Sequence, residues 1–178
     1  MKMETRKIVI AAVFLSLGMV LPFFTGQIKE IGDTLLPMHI PVMLCGLICG
    51  GNYGFVVGFI LPLLRAVTVG MPPLFPNAVW MAFELATYGL TIGFLYSYFY
   101  KKQVWWLYCS LIISMISGRI VWGIAKAILL GVSDKVFTIQ AFIAGGIIDA
   151  LPGIILQLIL IPSIIKLIEK FSERSCDK

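Results

Sequence analysis

From Val104 to Leu130 the chain reads VWWLYCSLIISMISGRIVWGIAKAILL, with Arg119 and Lys126 as its only charges. A helix needs about 20 mostly apolar residues to cross a bilayer, and only a helix or a closed barrel satisfies its backbone there. The stretch therefore reads as a membrane-spanning helix. Composition says the same of the whole chain. Of 178 residues, 60% are hydrophobic and 13% charged, at a mean hydropathy of +0.99. A soluble domain carries roughly a quarter charged residues.

Outward from Val104–Leu130, five more passes are expected. Lys7 to Phe24 is the first; it runs into a proline and aromatics rather than a small-residue cleavage site, so it reads as a retained helix and not a signal peptide. Leu35 to Gly50 is short, bent or delayed by Pro37 and Pro41. Tyr53 to Val69 carries Pro62, Asn77 to Tyr100 comes next, and Thr138 to about Phe171 exceeds the bilayer, so its end is expected to project into the cytoplasm. The expected fold is all-α and integral to the membrane, a bundle of six transmembrane helices forming a single domain over 1–178.

Basic residues set the orientation. With the N-terminus inside, the inner segments hold Lys2, Arg6, Lys7, Lys101, Lys102, Lys166, Lys170, Arg174 and Lys178, and the outer loops only Lys29 and Lys135. Both termini are thus expected to be cytoplasmic, and the net charge of +5 is a topology signal rather than a nucleic-acid footprint. Two outer loops, Thr25 to Leu36 and the proline-rich Gly70 to Pro76, read either as plain connections or as caps over a cavity.

Ionisable residues inside spans are costly and point to function. Arg65, Glu84, Arg119, Lys126 and Asp149 qualify, and at about 1.5 Å per residue all five fall in the outer half of the bilayer. Arg119, Trp122 and Lys126 share one helix face; Asn77, Trp80, Glu84, Tyr88 and Thr91 form a stripe on another. Hydrogen-bonding groups between aromatic walls suit a small-molecule pocket, while packing and interfacial anchoring are the plainer uses of Trp and Tyr. Three bases against two acids leave one positive charge, which a ligand with a single carboxylate would balance. His39, at the outer start of the second helix, can donate to a ligand or to nearby backbone.

Several classes are unsupported by motif. There is no Gly-x-x-x-x-Gly-Lys-Ser/Thr run for ATP, no His-Glu-x-x-His, no Gly-x-Ser-x-Gly and no regular arginine series. One histidine makes a metal or redox centre unexpected, and Cys45, Cys49, Cys109 and Cys176 read as small apolar residues. A self-sufficient channel or facilitator remains as a rival, although the inner half holds no intramembrane charge to line a pore. A membrane enzyme using Glu84 or Asp149 would need a nucleophile or metal that is not evident. On the first helix, Ala11, Ala12, Ser16 and Gly18 make a small-residue strip, with Ala12 and Ser16 in small-xxx-small register, fit for close approach of another helix or for internal packing.

With that strip, the runs Leu35–Gly50, Gly58–Arg65 and Met81–Gly89 resemble, over nearly the whole chain, the substrate-binding S components of energy-coupling-factor (ECF) vitamin transporters. The resemblance implies a non-enzymatic, high-affinity binding subunit in the bacterial plasma membrane. It implies partners: a transmembrane coupling subunit, met by the Ala-x-x-x-Ala element that here is Ala12 and Ser16, and two ABC-type ATPases that hydrolyse the ATP, with no cofactor in this chain. It also implies ligand contacts from the fourth to sixth helices and the outer loops. Pantothenate is the favoured vitamin: Arg119 or Lys126 takes its carboxylate, Asn77, Glu84 and Asp149 serve as polar partners, and Trp80 and Trp122 wall the site. Folate, a queuosine precursor and a thiamine precursor stay open.

Overall fold

In a computed structural model of the chain, residues 3–24, 35–98, 104–131 and 150–176 are described. Among them the backbone is all-helical: α1 Met3–Phe24, α2 His39–Cys49, α3 Gly51–Val69, α4 Val79–Tyr98, α5 Val104–Gly131 and α6 Leu151–Cys176. Five helices, counting α4 with the wide turn Leu74–Ala78 that leads into it, are long and apolar enough to cross a membrane, and α2 is a shorter apolar helix. Asp149, the expected helix start at Thr138, and most of the loop before Leu36 lie outside the described residues.

The short second helix follows from its prolines. Leu36 adopts a left-handed φ of 49°, and α2 begins only at His39, with Pro41 in its first turn where a missing N–H costs nothing. At eleven residues it rises about 16 Å. It is buried along almost its whole length and packs against α1, α3, α4 and α6, which makes it the axis of the bundle. Gly50 alone, at φ 105°, turns the chain from α2 into α3.

Helices α3 and α4 run antiparallel in the most intimate contact of the molecule. Gly54 and Gly89 face each other so closely that a Cβ on Gly54 would lie 2.6 Å from the Gly89 carbonyl oxygen. Gly58 lies against the Leu85 backbone and Gly93 against Gly51, so two Gly-x-x-x-Gly registers mesh. The lipid face is equally regular. Ile112, Ile116, Ile120, Ile124 and Ile128 are exposed at every fourth position of α5, while Leu107, Leu111, Met115 and Trp122 turn inward.

Two hydrogen bonds show which helix ends lie together. Tyr53 Oη, at the start of α3, donates to Glu4 Oε2 at the start of α1 at 2.7 Å. Tyr96 Oη, near the end of α4, donates to Glu169 Oε1 near the end of α6 at 3.3 Å. Because α4 is antiparallel to α3, all four ends belong to one face of the bundle. The start of α1 and the end of α6 therefore lie on the same face of the bundle.

Candidate functional site

At the opposite end, four helices each lift one polar side chain above the apolar core. That core contains Met43 of α2, Tyr88 of α4, Met115 of α5 and Ile161 of α6 in one buried cluster. One helical turn outward from each stands His39, Glu84, Arg119 and Gln157 respectively, about 6 Å higher. The first, second and fourth are no more than 2% exposed, and the Arg119 side chain is 12% exposed. A polar layer therefore sits directly on an apolar floor.

Glu84 is the hub. Its Oε1 accepts Arg119 Nη1 at 2.9 Å and lies 3.4 Å from His39 Nε2. Tyr88, one turn below, meets the His39 ring edge-on with centroids 5.1 Å apart, which fixes the imidazole against the carboxylate. A buried carboxylate without a cation is strongly disfavoured, so Glu84 and Arg119 hold each other in place.

What the layer leaves over is more informative than what it uses. Arg119 Nε and Nη2, His39 Nδ1 and Gln157 Nε2 are buried with no hydrogen-bond partner among the described residues. Native interiors rarely tolerate one such atom without cause. Nε and Nη2 form the side-on edge of the guanidinium, two parallel donors that match the two oxygens of a carboxylate. One end of Arg119 is thus neutralised by Glu84, and its bidentate edge is available.

Above the layer the walls are aromatic. Lys126 Nζ lies 4.4 Å from the Trp122 ring centroid and 5.4 Å from that of Trp80, and the Arg119 guanidinium lies 5.8 Å from the Trp122 ring. Two cations share one indole, and Trp80 of α4 faces one of them, Lys126 of α5. The stack from core outward is thus apolar floor, hydrogen-bonding layer, and indole walls with an ammonium.

The expected site residues are distributed unevenly. His39, Trp80, Glu84, Tyr88, Arg119, Trp122 and Lys126 come together. Asn77 is half-buried in the turn leading into α4. Thr91, one turn deeper than Tyr88, bonds the Thr87 carbonyl and accepts from Ser117 of α5 at 3.3 Å. Arg65 makes its contacts with α1 instead: Nη1 donates to the Met19 carbonyl at 2.6 Å and the guanidinium covers the Phe23 ring at 5.0 Å. Pro22 lies within this stretch of α1, one turn from Gly18 and three residues after Met19. Gln157 was not foreseen from the sequence. Its signal is an amide set within Ile154-Ile155-Leu156-Gln157-Leu158-Ile159, costly to bury without a partner.

The small residues of α1 are also described. They do not form one strip: Ala11 and Gly18 are buried, Gly18 against Leu61, whereas Ala12 and Ser16 are exposed on the outer flank. Ser16 Oγ donates to the Ala12 carbonyl at 3.0 Å, so its hydroxyl is already satisfied in an apolar setting.

A family model described as "ECF transporter, substrate-specific component" matches residues 6–165. Neither the characterised proteins nor the solved structures compared with the chain gave a match.

Proposed function

The chain belongs to the family of ECF transporter substrate-specific components, and on that premise we propose that it captures pantothenate from outside the cell and presents it for uptake. Members of this family are substrate-binding membrane subunits rather than enzymes, and they work with the other components of an ECF transporter. The chain is accordingly a multi-pass membrane protein.

The observation that carries the ligand class is the side-on edge of Arg119, two buried donors with no partner among the described residues. A carboxylate fits it in charge and in shape. Pantothenate supplies one carboxylate, and its two hydroxyls and amide suit the remaining polar atoms of the layer. Trp80 and Trp122 flank the body of the vitamin, and Lys126 guards the entry, adding a second positive charge for an anion to approach.

In this reading residues 1–178 are a single binding domain of a bacterial plasma membrane, with both termini cytoplasmic and the polar layer opening outward. The exposed Ala12–Ser16 flank meets the transmembrane coupling subunit, and two ABC-type ATPases supply the energy, so the chain needs no cofactor of its own. A self-sufficient channel is disfavoured by the apolar floor, where Met43, Tyr88, Met115 and Ile161 close the way inward. The queuosine and thiamine precursors, which carry no carboxylate, are less well matched by the anion-binding edge, and folate, with two carboxylates, exceeds the single charge to be balanced.

Mass spectrometry of small molecules carried through purification tests the reading. Pantothenate is expected in the bound fraction, and pantothenol, its neutral alcohol counterpart, is expected to bind at least about tenfold more weakly. Equal affinity for the two overturns the assignment of a carboxylate to Arg119.

A further inference from the structure

We propose that Gln157 is a ligand-contacting, specificity-determining residue whose amide selects anions that carry a second, uncharged hydrogen-bond acceptor some distance from the carboxylate. This rests on the reading of the polar layer as the binding site, and it adds a requirement that charge alone does not impose.

Four observations converge on it. Gln157 is 1% exposed, and its Nε2 has no partner among the described residues. It stands one turn above Ile161, as His39, Glu84 and Arg119 stand above Met43, Tyr88 and Met115, and these four lower residues belong to one buried cluster. Ile154, on the same face of α6, also packs on that cluster, so this face of the helix is directed to the bundle interior. Finally, the neighbours Ile155 and Ile159 are exposed to the outer surface, so the amide has no route to snorkel toward it.

The chemistry follows from the donor type. A primary amide donates two N–H bonds and carries no charge. It can stabilise a carbonyl or hydroxyl oxygen without competing with Arg119 for the carboxylate. A site built around such a donor rejects analogues that lack the acceptor, because binding them leaves the amide dry and unpaired. Arg119 therefore reads the charged end of the solute, and Gln157 reads its polar body.

The test compares wild type with Gln157→Leu, a substitution of similar size, in purified full-length protein. Without ligand, thermal stability of the variant is expected to match or exceed that of wild type, because an unpartnered buried amide has been removed. With pantothenate as the probe, its affinity is expected to fall about tenfold or more. A drop of several degrees in the ligand-free melting temperature would assign the amide to the architecture and overturn the proposal, as would undiminished pantothenate affinity. Should wild type not bind pantothenate, the preceding choice of vitamin falls instead, and ligand-free stability alone decides the role of Gln157.

Discussion

Glu84 Oε1 accepts Arg119 Nη1 at 2.9 Å, and this single contact turns the guanidinium so that Nε and Nη2 are left over as a pair. In the proposed reading the acid is a positioning residue, and the base is the one that meets the solute. That division of roles separates two substitutions. Arg119→Lys keeps a cation beside Glu84 but loses the planar fork; stability is expected to persist while pantothenate affinity, measured by calorimetry, falls ten- to a hundredfold, about 1.4–3 kcal/mol. Arg119→Met leaves Glu84 buried without its guanidinium, beside the neutral-capable His39 and the Tyr88 hydroxyl, and it is expected to cost about 3–5 kcal/mol of stability as well. Equal effects of the two variants on binding and on melting would contradict the division.

The indole pair gives an optical readout. Trp80 and Trp122 both contact Lys126 through their ring faces, at 5.4 and 4.4 Å. A solute entering between them displaces that ammonium or dries its surroundings, so intrinsic fluorescence is expected to change on pantothenate addition. In Trp122→Phe most of the change is expected to vanish, and Lys126→Met is expected to weaken binding severalfold while expression persists, in line with about 1 kcal/mol for a cation over an aromatic face. A fluorescence response that survives loss of both indoles would place the solute elsewhere.

The described helices, and the shared end of the bundle for Glu84, Arg119 and Lys126, were legible in the sequence because both depend on position along the chain. Apolar length marks a span, and counting residues from its end gives depth. Direction around a helix is another matter. Arg65 has the right depth, yet the Met19 carbonyl near Pro22 draws it to α1. Ala11 and Ala12 are sequence neighbours that face opposite ways, one into the bundle and one out. Gln157 carries no charge, so a search for ionisable groups passes over it; only burial without a partner reveals it. The meshed glycines were available in principle, since Gly54–Gly58 and Gly89–Gly93 both have the four-residue register, but the sequence alone does not say that these two helices are the pair that meets.

That glycine contact makes a prediction about stability. A methyl group on Gly54 would lie 2.6 Å from the Gly89 carbonyl oxygen and 2.8 Å from the Gly46 Cα, all backbone that cannot swing aside. Gly54→Ala is therefore expected to force α3 from α4 and cost about 1–3 kcal/mol, seen as a lower melting temperature in detergent. Gly131→Ala serves as control, because a Cβ there meets nothing within 4 Å. If both variants melt with wild type, the close approach of the two helices is wrong.

The outer flank of α1 predicts a separation between capture and assembly. Ala12 and Ser16 are exposed among Val9, Val13, Leu17 and Val20, which are themselves about half exposed, so the flank is apolar with a shallow groove of small residues along it. Such a groove lets a second helix come close enough for backbone packing. The residues of this flank lie on the opposite side of α1 from Ala11 and Gly18, which pack inward, so bulk can be added without touching the polar layer. Ser16→Phe is expected to leave pantothenate affinity and melting temperature unchanged and to abolish co-purification with the coupling subunit. Gly18→Leu is expected to do the reverse, lowering stability because it meets Leu61 before it reaches any partner. If Ser16→Phe retains its partner, the coupling subunit approaches from another face; if it loses ligand affinity, the two ends of the bundle are coupled through α1 itself.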